Sequence, residues 1–176
     1  MNPAILLTGP PGVGKTTAIK TIVALLGERA GGFYTREIRA QRRRTGFEIV
    51  TLEGHTVWLA SRSQVATFKE EAQLGQYRVN LRGIDSFAVP ALRRAEAAGR
   101  VVIIDEIGPM EMASELFCQT VLDILAGPTT VVGTIALRPS PFAASVRRLQ
   151  RVQVITLTPD NRNQMPQQVL DRLLLN

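Results

Sequence analysis

The chain has 176 residues, of which 45% are hydrophobic, and a formal net charge of +6 at pH 7. This length and composition suit a single α/β domain over residues 1–176 and exclude a disordered chain. The longest apolar runs are only as long as a strand, so no membrane span is expected. No basic segment precedes the first apolar stretch, and Cys118 is the only cysteine, which leaves no intrachain disulfide. These features favour a protein of the cytoplasm.

The positive charge comes almost wholly from arginine, since lysine occurs only at positions 15, 20 and 69. The arginines are scattered along the chain, and their only dense run is Arg42-Arg43-Arg44. No aromatic residues alternate with them, as a stacking platform for single-stranded nucleic acid would require. A solvated basic surface is therefore favoured over a nucleic-acid interface, and no nucleic-acid partner is expected.

The first part of the chain predicts a buried strand, an amphipathic helix that ends near Gly27, and then three short strands. The polar turn 41–45 between two of these strands predicts a β-hairpin. We expect this segment, about 32–60, to be inserted near one edge of the core. The elements are a strand at 4–8, a helix at 16–28, and strands at 33–39, 46–52 and 56–59.

The second part of the chain begins with a strand and a helix in which Pro90 limits the first turn. From residue 100 onward strands and helices alternate, with Ser114 as the cap of one helix. This alternation predicts a mostly parallel sheet with helices on both faces. The strands are 76–80, 100–104, 129–135 and 152–157, and the helices are 85–98, 114–126, 141–150 and 163–174.

The segment 9–16 reads Gly-Pro-Pro-Gly-Val-Gly-Lys-Thr and lies directly between the first strand and the first helix. This Walker A pattern predicts a phosphate-binding loop, because its glycines let backbone N–H groups surround an anion at a helix N-terminus. Lys15 is expected to reach the β- and γ-phosphates, and the Thr16 hydroxyl to ligate Mg²⁺. The predicted nucleotide-binding residues here are Gly9, Pro10, Pro11, Gly12, Val13, Gly14, Lys15, Thr16 and Thr17.

Four apolar residues, 101–104, precede Asp105 and Glu106, a pattern typical of a Walker B strand whose end lies beside the phosphate loop. Asp105 is expected to hold Mg²⁺ through its water shell. Glu106 is expected to orient and deprotonate a water in line with the γ-phosphate. Glu111 either contacts a metal-bound water or is simply a carboxylate at a helix start. The predicted catalytic residues are Lys15 and Glu106, and the predicted metal ligands are Thr16 and Asp105.

Further candidates surround these two motifs. Arg43 or Arg44 is a candidate for neutralising the transferred phosphoryl group, where an arginine contributes ~10³–10⁵ in rate, although basic turns are more often only solvated. Thr134 either contacts the γ-phosphate or is an ordinary strand threonine. No Asn-Lys-X-Asp segment for reading guanine follows the Walker B strand, which leaves the stretch Asn161-Arg162-Asn163 as the best candidate for base contact.

Together these segments resemble the THEP-type nucleoside-triphosphatases over nearly the whole chain. The segments that carry the resemblance are Thr8–Thr16, Gly32–Thr35, Arg43–Leu52, Val102–Gly108 with Met110-Glu111, and Asp160–Asn163. The resemblance implies a P-loop NTPase domain related to the RecA and AAA ATPases, with nucleotide binding by residues 9–16 and roughly 101–108, including Gly108. It also implies a monomer that hydrolyses ATP, GTP, CTP and UTP with Mg²⁺ and little base preference. One departure is Pro109, where the family usually has lysine.

The leading hypothesis is a broad-specificity nucleoside-triphosphatase that releases orthophosphate through attack of a water activated by Glu106. A nucleotide or small-molecule kinase on the same scaffold is the alternative, in which the hairpin would close over an acceptor. A water-activating Glu106 works against that alternative. A nucleotide-controlled binding module is a third hypothesis, motivated by the net charge of +6.

Overall fold

The computed structural model describes residues 2–62 and 65–174, and its strands form one mixed sheet. In chain order the strands are β1 (Ala4–Thr8), β2 (Ala30–Ala40), β3 (Arg43–Thr51), β4 (Thr56–Arg62), β5 (Glu71–Leu74), β6 (Tyr77–Asn80), β7 (Val101–Ile107), β8 (Val131–Ile135) and β9 (Val152–Thr156). The α-helices are α1 (Lys15–Leu26), α2 (Leu81–Gly83), α3 (Val89–Ala97), α4 (Glu115–Ala126), α5 (Pro141–Arg147) and α6 (Met165–Leu174). The strand order across the sheet is β5-β6-β4-β3-β2-β7-β8-β1-β9.

The sheet changes from parallel to antiparallel at β2. Residues Ala30 to Tyr34 of this strand pair in parallel with Val101 to Asp105 of β7, while its opposite edge pairs antiparallel with β3. Strands β7, β8, β1 and β9 form the parallel half, and β3, β4, β6 and β5 continue the antiparallel half. The predicted hairpin is therefore a continuation of the main sheet, and it begins within a strand that borders β7.

The hairpin turn is tighter than expected. Only Gln41 and Arg42 lie between β2 and β3, with φ values of 48° and 63°, which is the two-residue geometry that matches the twist of the flanking strands. Arg43 and Arg44 were expected in the turn, but they belong to β3 and pair with Ala40 and Arg39.

Helices cover both faces of the sheet, as predicted, because successive residues of the buried strands point to opposite sides. On one face, Ile5 and Leu7 of β1 pack in a buried cluster with residues of α1 and α6. On the other face, Leu6 of β1 joins a buried cluster with residues of α3, α4 and α5. Because a core packs on each face, the plane of the parallel strands is fixed. The edge of the sheet from which the loops after β1, β7 and β8 emerge is therefore fixed as well.

Several element boundaries differ from the sequence-based expectation. Asn80 caps α2 by accepting a hydrogen bond from Gly83 N at 2.9 Å, so the helical stretch before β7 begins at Leu81 rather than near residue 85. Strand β5 was not predicted, because its sequence Glu-Ala-Gln-Leu lacks strand-forming side chains. The cap at Ser114 is confirmed by its hydrogen bond from Phe117 N at 3.0 Å. In the ranges described, no helix combines the length and apolarity that crossing a membrane requires.

Candidate active site

The phosphate loop connects β1 to α1 and lies at the carboxyl edge of the parallel strands. The loop is anchored from below, because Leu157 N donates to Thr8 O at 2.7 Å and the side chain of Val13 is buried in the core. A Cβ on Gly9, whose φ is 154°, would lie 2.8 Å from Leu157 O, so only glycine fits at this turn. The Lys15 ammonium donates to Gly9 O at 3.0 Å and therefore lies over the loop.

The Walker B carboxylates follow a local irregularity in β7. Ile104 pairs with Gly133 of β8, whereas Ile107 pairs with Ile135, so two residues of β7 lie opposite the single residue Thr134. In a regular strand successive side chains point to opposite faces of the sheet. A bulge of this kind removes the alternation, and it allows both carboxylates to face the phosphate loop.

Asp105 is fully buried at the base of the site. Its Oδ1 accepts a hydrogen bond from the Thr134 hydroxyl at 2.6 Å, and the Thr16 hydroxyl also hydrogen-bonds to this carboxylate. Burial raises the pKa of Asp105, and the hydrogen bonds from Thr134 and Thr16 and the charge of Lys15 oppose that rise. Thr134 was predicted as a possible γ-phosphate contact, but its hydroxyl is used to orient Asp105.

The donors around Asp105 fit a magnesium ion. Asp105 Oδ2 is buried and has no hydrogen-bond partner among the described residues, while the Thr16 hydroxyl lies next to the same carboxylate. Mg²⁺ prefers oxygen ligands and is commonly bound by one or two carboxylates plus substrate phosphates, with water completing the shell. Within the described part of the chain no group of three or more His, Cys, Asp or Glu side chains forms a metal cage. The pair of Thr16 and Asp105 therefore fits an ion shared with phosphate.

Glu106 lines a cavity of about 850 Å³ that also contains Lys15 and the mouth of the phosphate loop. Burial raises the pKa of the Glu106 carboxyl, the positive charge of Lys15 lowers it, and the nearby Asp105 raises it. A carboxylate whose pKa is shifted upward is a better proton acceptor than an exposed glutamate. Glu106 is therefore suited to take a proton from a water in this cavity.

Glu111 is a third acidic group beside this pair. Its side chain is almost completely buried, and burial together with the charges of Glu106 and Asp105 raises its pKa to about 8. A Cβ on Gly108 would lie 2.9 Å from Glu111 Oε2 and 3.3 Å from Glu106 Cγ. Gly108 was predicted to contact nucleotide, but it lies between these two acidic side chains and lets them pack on either side of it.

A second cavity, of about 430 Å³, opens on the other side of the phosphate loop. It lies between the start of α1 and the segment before α6, and Gly12 and Gly14 line both cavities. The larger cavity contains Glu106, whereas the smaller one contains Arg162 and Asn163. The larger cavity therefore holds the candidate proton acceptor together with several cations, whereas the smaller one holds a guanidinium and an amide.

The two asparagines predicted for base contact have different surroundings. Asn161 Oδ1 accepts from Thr158 N at 2.8 Å, and its Nδ2 donates to Thr156 O at 2.9 Å. Because the loop backbone satisfies this amide, Asn161 holds the turn and is not on the cavity wall. Asn163 lines the smaller cavity, as a base contact requires.

The two arginines predicted from the hairpin do not line either cavity. Arg44 forms an ion pair with Glu37, in which Nε and Oε1 are 3.0 Å apart, and its guanidinium lies over the Phe47 ring at 5.3 Å. Arg43 is exposed on the outer part of β3. Arg44 is thus held against two residues that line the larger cavity, while its own side chain is not part of the cavity wall.

Comparison with known proteins identifies the family. The profile of a family described as NTPase matches residues 4–170. The chain is 42% identical to the cancer-related nucleoside-triphosphatase homolog of Mus musculus, over 94% of this chain and 93% of the mouse protein. The crystal structure of THEP1 from the hyperthermophile Aquifex aeolicus is similar with a TM-score of 0.86 and 41% identity, over 97% of this chain and 98% of that one. The solution structure of a human cancer-related nucleoside triphosphatase gives a TM-score of 0.81 and 37% identity, over 98% and 97% of the two chains.

The chain belongs to the THEP1-type NTPase family. The similarity to two solved structures over nearly the full length of both chains confirms the P-loop NTPase fold that the sequence motifs indicated. It also confirms the family resemblance carried by the two Walker segments and the hairpin.

Several residues on the cavity walls of this THEP1-type chain were not predicted from its sequence. In the larger cavity they come from the hairpin, from α1 and from the loop after β8, and in the smaller cavity from α1 and from the segment at the start of α6. The loop after β8 could have been suspected as part of the site, because β8 borders β1 and loops at the carboxyl ends of such strands commonly form binding sites. The unpredicted lining residues are Lys20, Thr35, Arg36, Glu37, Phe47, Ala136, Leu137, Arg138, Pro139, Ala18, Thr21 and Pro166.

Proposed function

We propose that this protein is a nucleoside-triphosphatase that converts an NTP and water into an NDP and orthophosphate. The observation that carries the proposal is the convergence of Lys15, Asp105 and Glu106 on one side of the phosphate loop. Lys15 supplies a positive charge at the loop, Asp105 offers a buried carboxylate for a metal ion, and Glu106 offers a proton acceptor. The names of the relatives, which are nucleoside-triphosphatases, agree with this chemistry.

The phosphate chain would lie along the backbone N–H groups of the loop at the N-terminus of α1, where the helix dipole favours anions. Lys15 would move from Gly9 O onto the β- and γ-phosphate oxygens. Thr16 and Asp105 would hold Mg²⁺, which when bound neutralises phosphate charge. With the γ-phosphate on the side of Glu106, the nucleoside leaves the loop towards the smaller cavity.

Glu106 would act as the general base. Its carboxylate accepts a hydrogen bond from the attacking water and takes its proton as the new bond to phosphorus forms, while the bond from phosphorus to the bridging oxygen of the NDP breaks. Such proton transfer contributes ~10²–10⁴-fold to the rate. The positive charge of Lys15 opposes the rise in the pKa of Glu106 that its burial causes.

The smaller cavity supports low selectivity for the base. Its polar side chains are the hydroxyls of Thr17 and Thr21, the amide of Asn163 and the guanidinium of Arg162. A guanidinium stacks on the face of any base, because every base has a π-face. We therefore extend the proposal to ATP, GTP, CTP and UTP. It also includes a monomer, since every group assigned a role is supplied by one chain, and a location in the cytoplasm, as expected from the composition.

The test is phosphate release from each of the four NTPs with Mg²⁺, measured for the wild type, Glu106→Gln and the control Glu115→Gln. Glu115 is an exposed carboxylate in the first turn of α4. Glu106→Gln is expected to lower kcat by ~10²–10⁴-fold and to leave NTP affinity near the wild-type value, whereas Glu115→Gln retains wild-type kcat. Wild-type turnover in Glu106→Gln would refute the general-base role.

One observation favours the kinase alternative. The larger cavity extends beyond Lys15 and Glu106 to the hairpin and to residues 136–139, which leaves more room than one water needs. Hydrolysis and transfer are separated by stoichiometry in the absence of any acceptor. A hydrolase releases one orthophosphate for each NDP under these conditions, whereas a kinase forms almost no NDP until an acceptor is added.

A further inference from the structure

The larger cavity has an arginine on its wall that has no partner among the residues that the structure describes. Arg138 is exposed in the loop between β8 and α5, and it makes no hydrogen bond or ion pair with any residue in the ranges 2–62 and 65–174. An arginine in such a position retains all five of its N–H donors for a ligand. The loop also places this guanidinium on the same cavity as Lys15 and Glu106.

The other cations on this cavity wall already have contacts. The Lys15 ammonium donates to Gly9 O, and the Lys20 ammonium lies 4.6 Å from the centre of the Tyr34 ring. Arg36 forms an ion pair with Glu48, with 2.5 Å between Nε and Oε1. Moving Arg36 to a phosphate would break that ion pair. Arg138 is therefore the cation of this cavity that can contact a ligand without losing a partner.

The backbone that carries Arg138 is fixed on both sides. Ala136 N donates to Ile107 O at 3.1 Å, and the Arg147 guanidinium donates to Ala136 O at 2.8 Å. Beyond the loop, Ser140 caps α5 by accepting from Ala143 N at 3.0 Å. The start of α5 and the end of β8 thus define where residue 138 lies. The guanidinium can rotate, but its Cα stays beside the cavity.

We propose that Arg138 contacts the γ-phosphoryl group in the transition state and neutralises its developing charge. This inference rests on the proposed hydrolysis of NTPs. Phosphoryl transfer loads negative charge onto the equatorial oxygens, and a guanidinium binds two such oxygens in parallel. Pro109 lines the same cavity and brings no charge, so the loop after β8 supplies the cation instead. We therefore assign to Arg138 the neutralisation of the transferred phosphoryl group, for which Arg43 and Arg44 were candidates.

The experiment compares Arg138→Ala, Arg138→Lys and the control Arg148→Ala, which removes an exposed arginine outside the cavity. Arg138→Ala is expected to lower kcat by about 10³-fold, with affinity for a non-hydrolysable ATP analogue within about threefold, because the contact forms only in the transition state. Arg138→Lys recovers part of kcat, and Arg148→Ala retains all of it. Binding of ADP with aluminium fluoride, which mimics the transferred phosphoryl, is expected to be lost in Arg138→Ala.

A gain-of-function variant tests the same geometry. Pro109→Lys in the Arg138→Ala background returns a cation to the cavity from its other side and is expected to recover kcat at least tenfold. Wild-type kcat in Arg138→Ala together with an inactive Glu106→Gln would refute the role of Arg138 and leave the proposed function intact. A higher KM with unchanged kcat would also refute it, because that result means ground-state binding alone. If Glu106→Gln is fully active as well, the general-base role of Glu106 is also wrong, whereas a wild type that releases no orthophosphate from any NTP would refute the proposed function itself.

Discussion

The pKa values of carboxylates in the two halves of the sheet are shifted in opposite directions. At the carboxyl end of β7, in the parallel half, burial raises the pKa of Asp105, Glu106 and Glu111. In the antiparallel half, hydrogen bonds from arginine lower the pKa of Glu37 and Glu53. The difference comes from the partners, since the first group has no arginine neighbour among the ion pairs of the described residues.

The two kinds of carboxylate differ in what they contribute to stability and to function. Exposed arginine–carboxylate pairs contribute little to stability, and they keep an arginine-rich surface neutral locally. A buried carboxylate without an ion pair costs stability, so it is expected where chemistry or a metal needs it. The candidate active site lies where the fold buries such carboxylates at a cost in stability. The antiparallel half supplies a wall of the cavity without contributing a buried charge.

The largest effect is expected at the boundary of the two halves, at Gly32 of β2. Its φ is 118°, and a Cβ there would lie 2.2 Å from Ile103 O of β7. Gly32→Ala combines backbone strain of about 1–3 kcal/mol with overpacking of about 1–3 kcal/mol. We expect a loss of roughly 4 kcal/mol in the free energy of unfolding, measured by urea denaturation.

Gly54→Ala is the matched control for this prediction. Gly54 also has a positive φ, 92°, but a Cβ added there would meet no atom within 4 Å, so only the backbone strain remains. We expect it to lose about 1 kcal/mol. Equal losses at the two positions would show that β2 and β7 can separate at little cost to admit the added methyl group.

The next effect concerns a buried acid, Glu111. Its pKa of about 8 in the folded protein lies above the ordinary value of 4.5, so the folded state keeps a proton that the unfolded chain releases. This contribution to stability is fully present below pH 4.5 and is lost as the pH rises towards 8. Glu111→Gln stays neutral throughout. Its stability relative to the wild type should therefore rise with pH, by an amount on the order of 4 kcal/mol at pH 9.

Urea unfolding of the protein without nucleotide or Mg²⁺ at pH 5, 7 and 9 measures this difference. Glu53→Gln serves as the opposite control, because Arg94 lowers the pKa of Glu53, so the stabilisation that this carboxylate contributes is fully present above pH 4.5 and stays constant from pH 5 to 9. A constant difference between wild type and Glu111→Gln from pH 5 to 9 would contradict the assigned burial of Glu111.

The features that could be predicted from the sequence are local ones. The Walker A loop can be predicted from eight consecutive residues, because anion binding there depends on the backbone of one turn. The Walker B strand is likewise read from an apolar run before Asp105. Strand β5 could not be found in this way, because Glu71–Leu74 is held by pairing with β6 rather than by its own pattern. Nor does the local sequence show that the hairpin extends the same sheet through β2.

The contacts of site residues that the sequence could not show share one cause, which is pairing between residues on different strands. Arg44 is attractive as a phosphate ligand until Glu37 on the neighbouring strand is seen to pair with it. Thr134 donates to Asp105, which lies 29 residues earlier in the chain. Arg138 has no motif of its own, and only the adjacency of β8 and β1 brings its loop beside Lys15. Pairing across the sheet, rather than residue type, decides which arginine reaches the cavity.

The smallest effect is expected for an exposed ion pair of the antiparallel half, Glu53 with Arg94. Nη2 and Oε2 are 2.5 Å apart, but the side chains are 53% exposed at Arg94 and 36% at Glu53, so solvent screens the attraction. A double-mutant cycle with Glu53→Gln and Arg94→Ala is expected to give a coupling of about 0.5 kcal/mol at pH 7. The arginine lowers the pKa of Glu53, so the coupling is fully present above pH 4.5 and is lost as the pH falls through that lowered pKa and the carboxylate is protonated. It should also shrink in about 1 M salt.

A coupling above roughly 2 kcal/mol that persists at about pH 3 would mean that this pair is shielded from solvent like Asp105. The contrast between the carboxylates of the two halves would then fail.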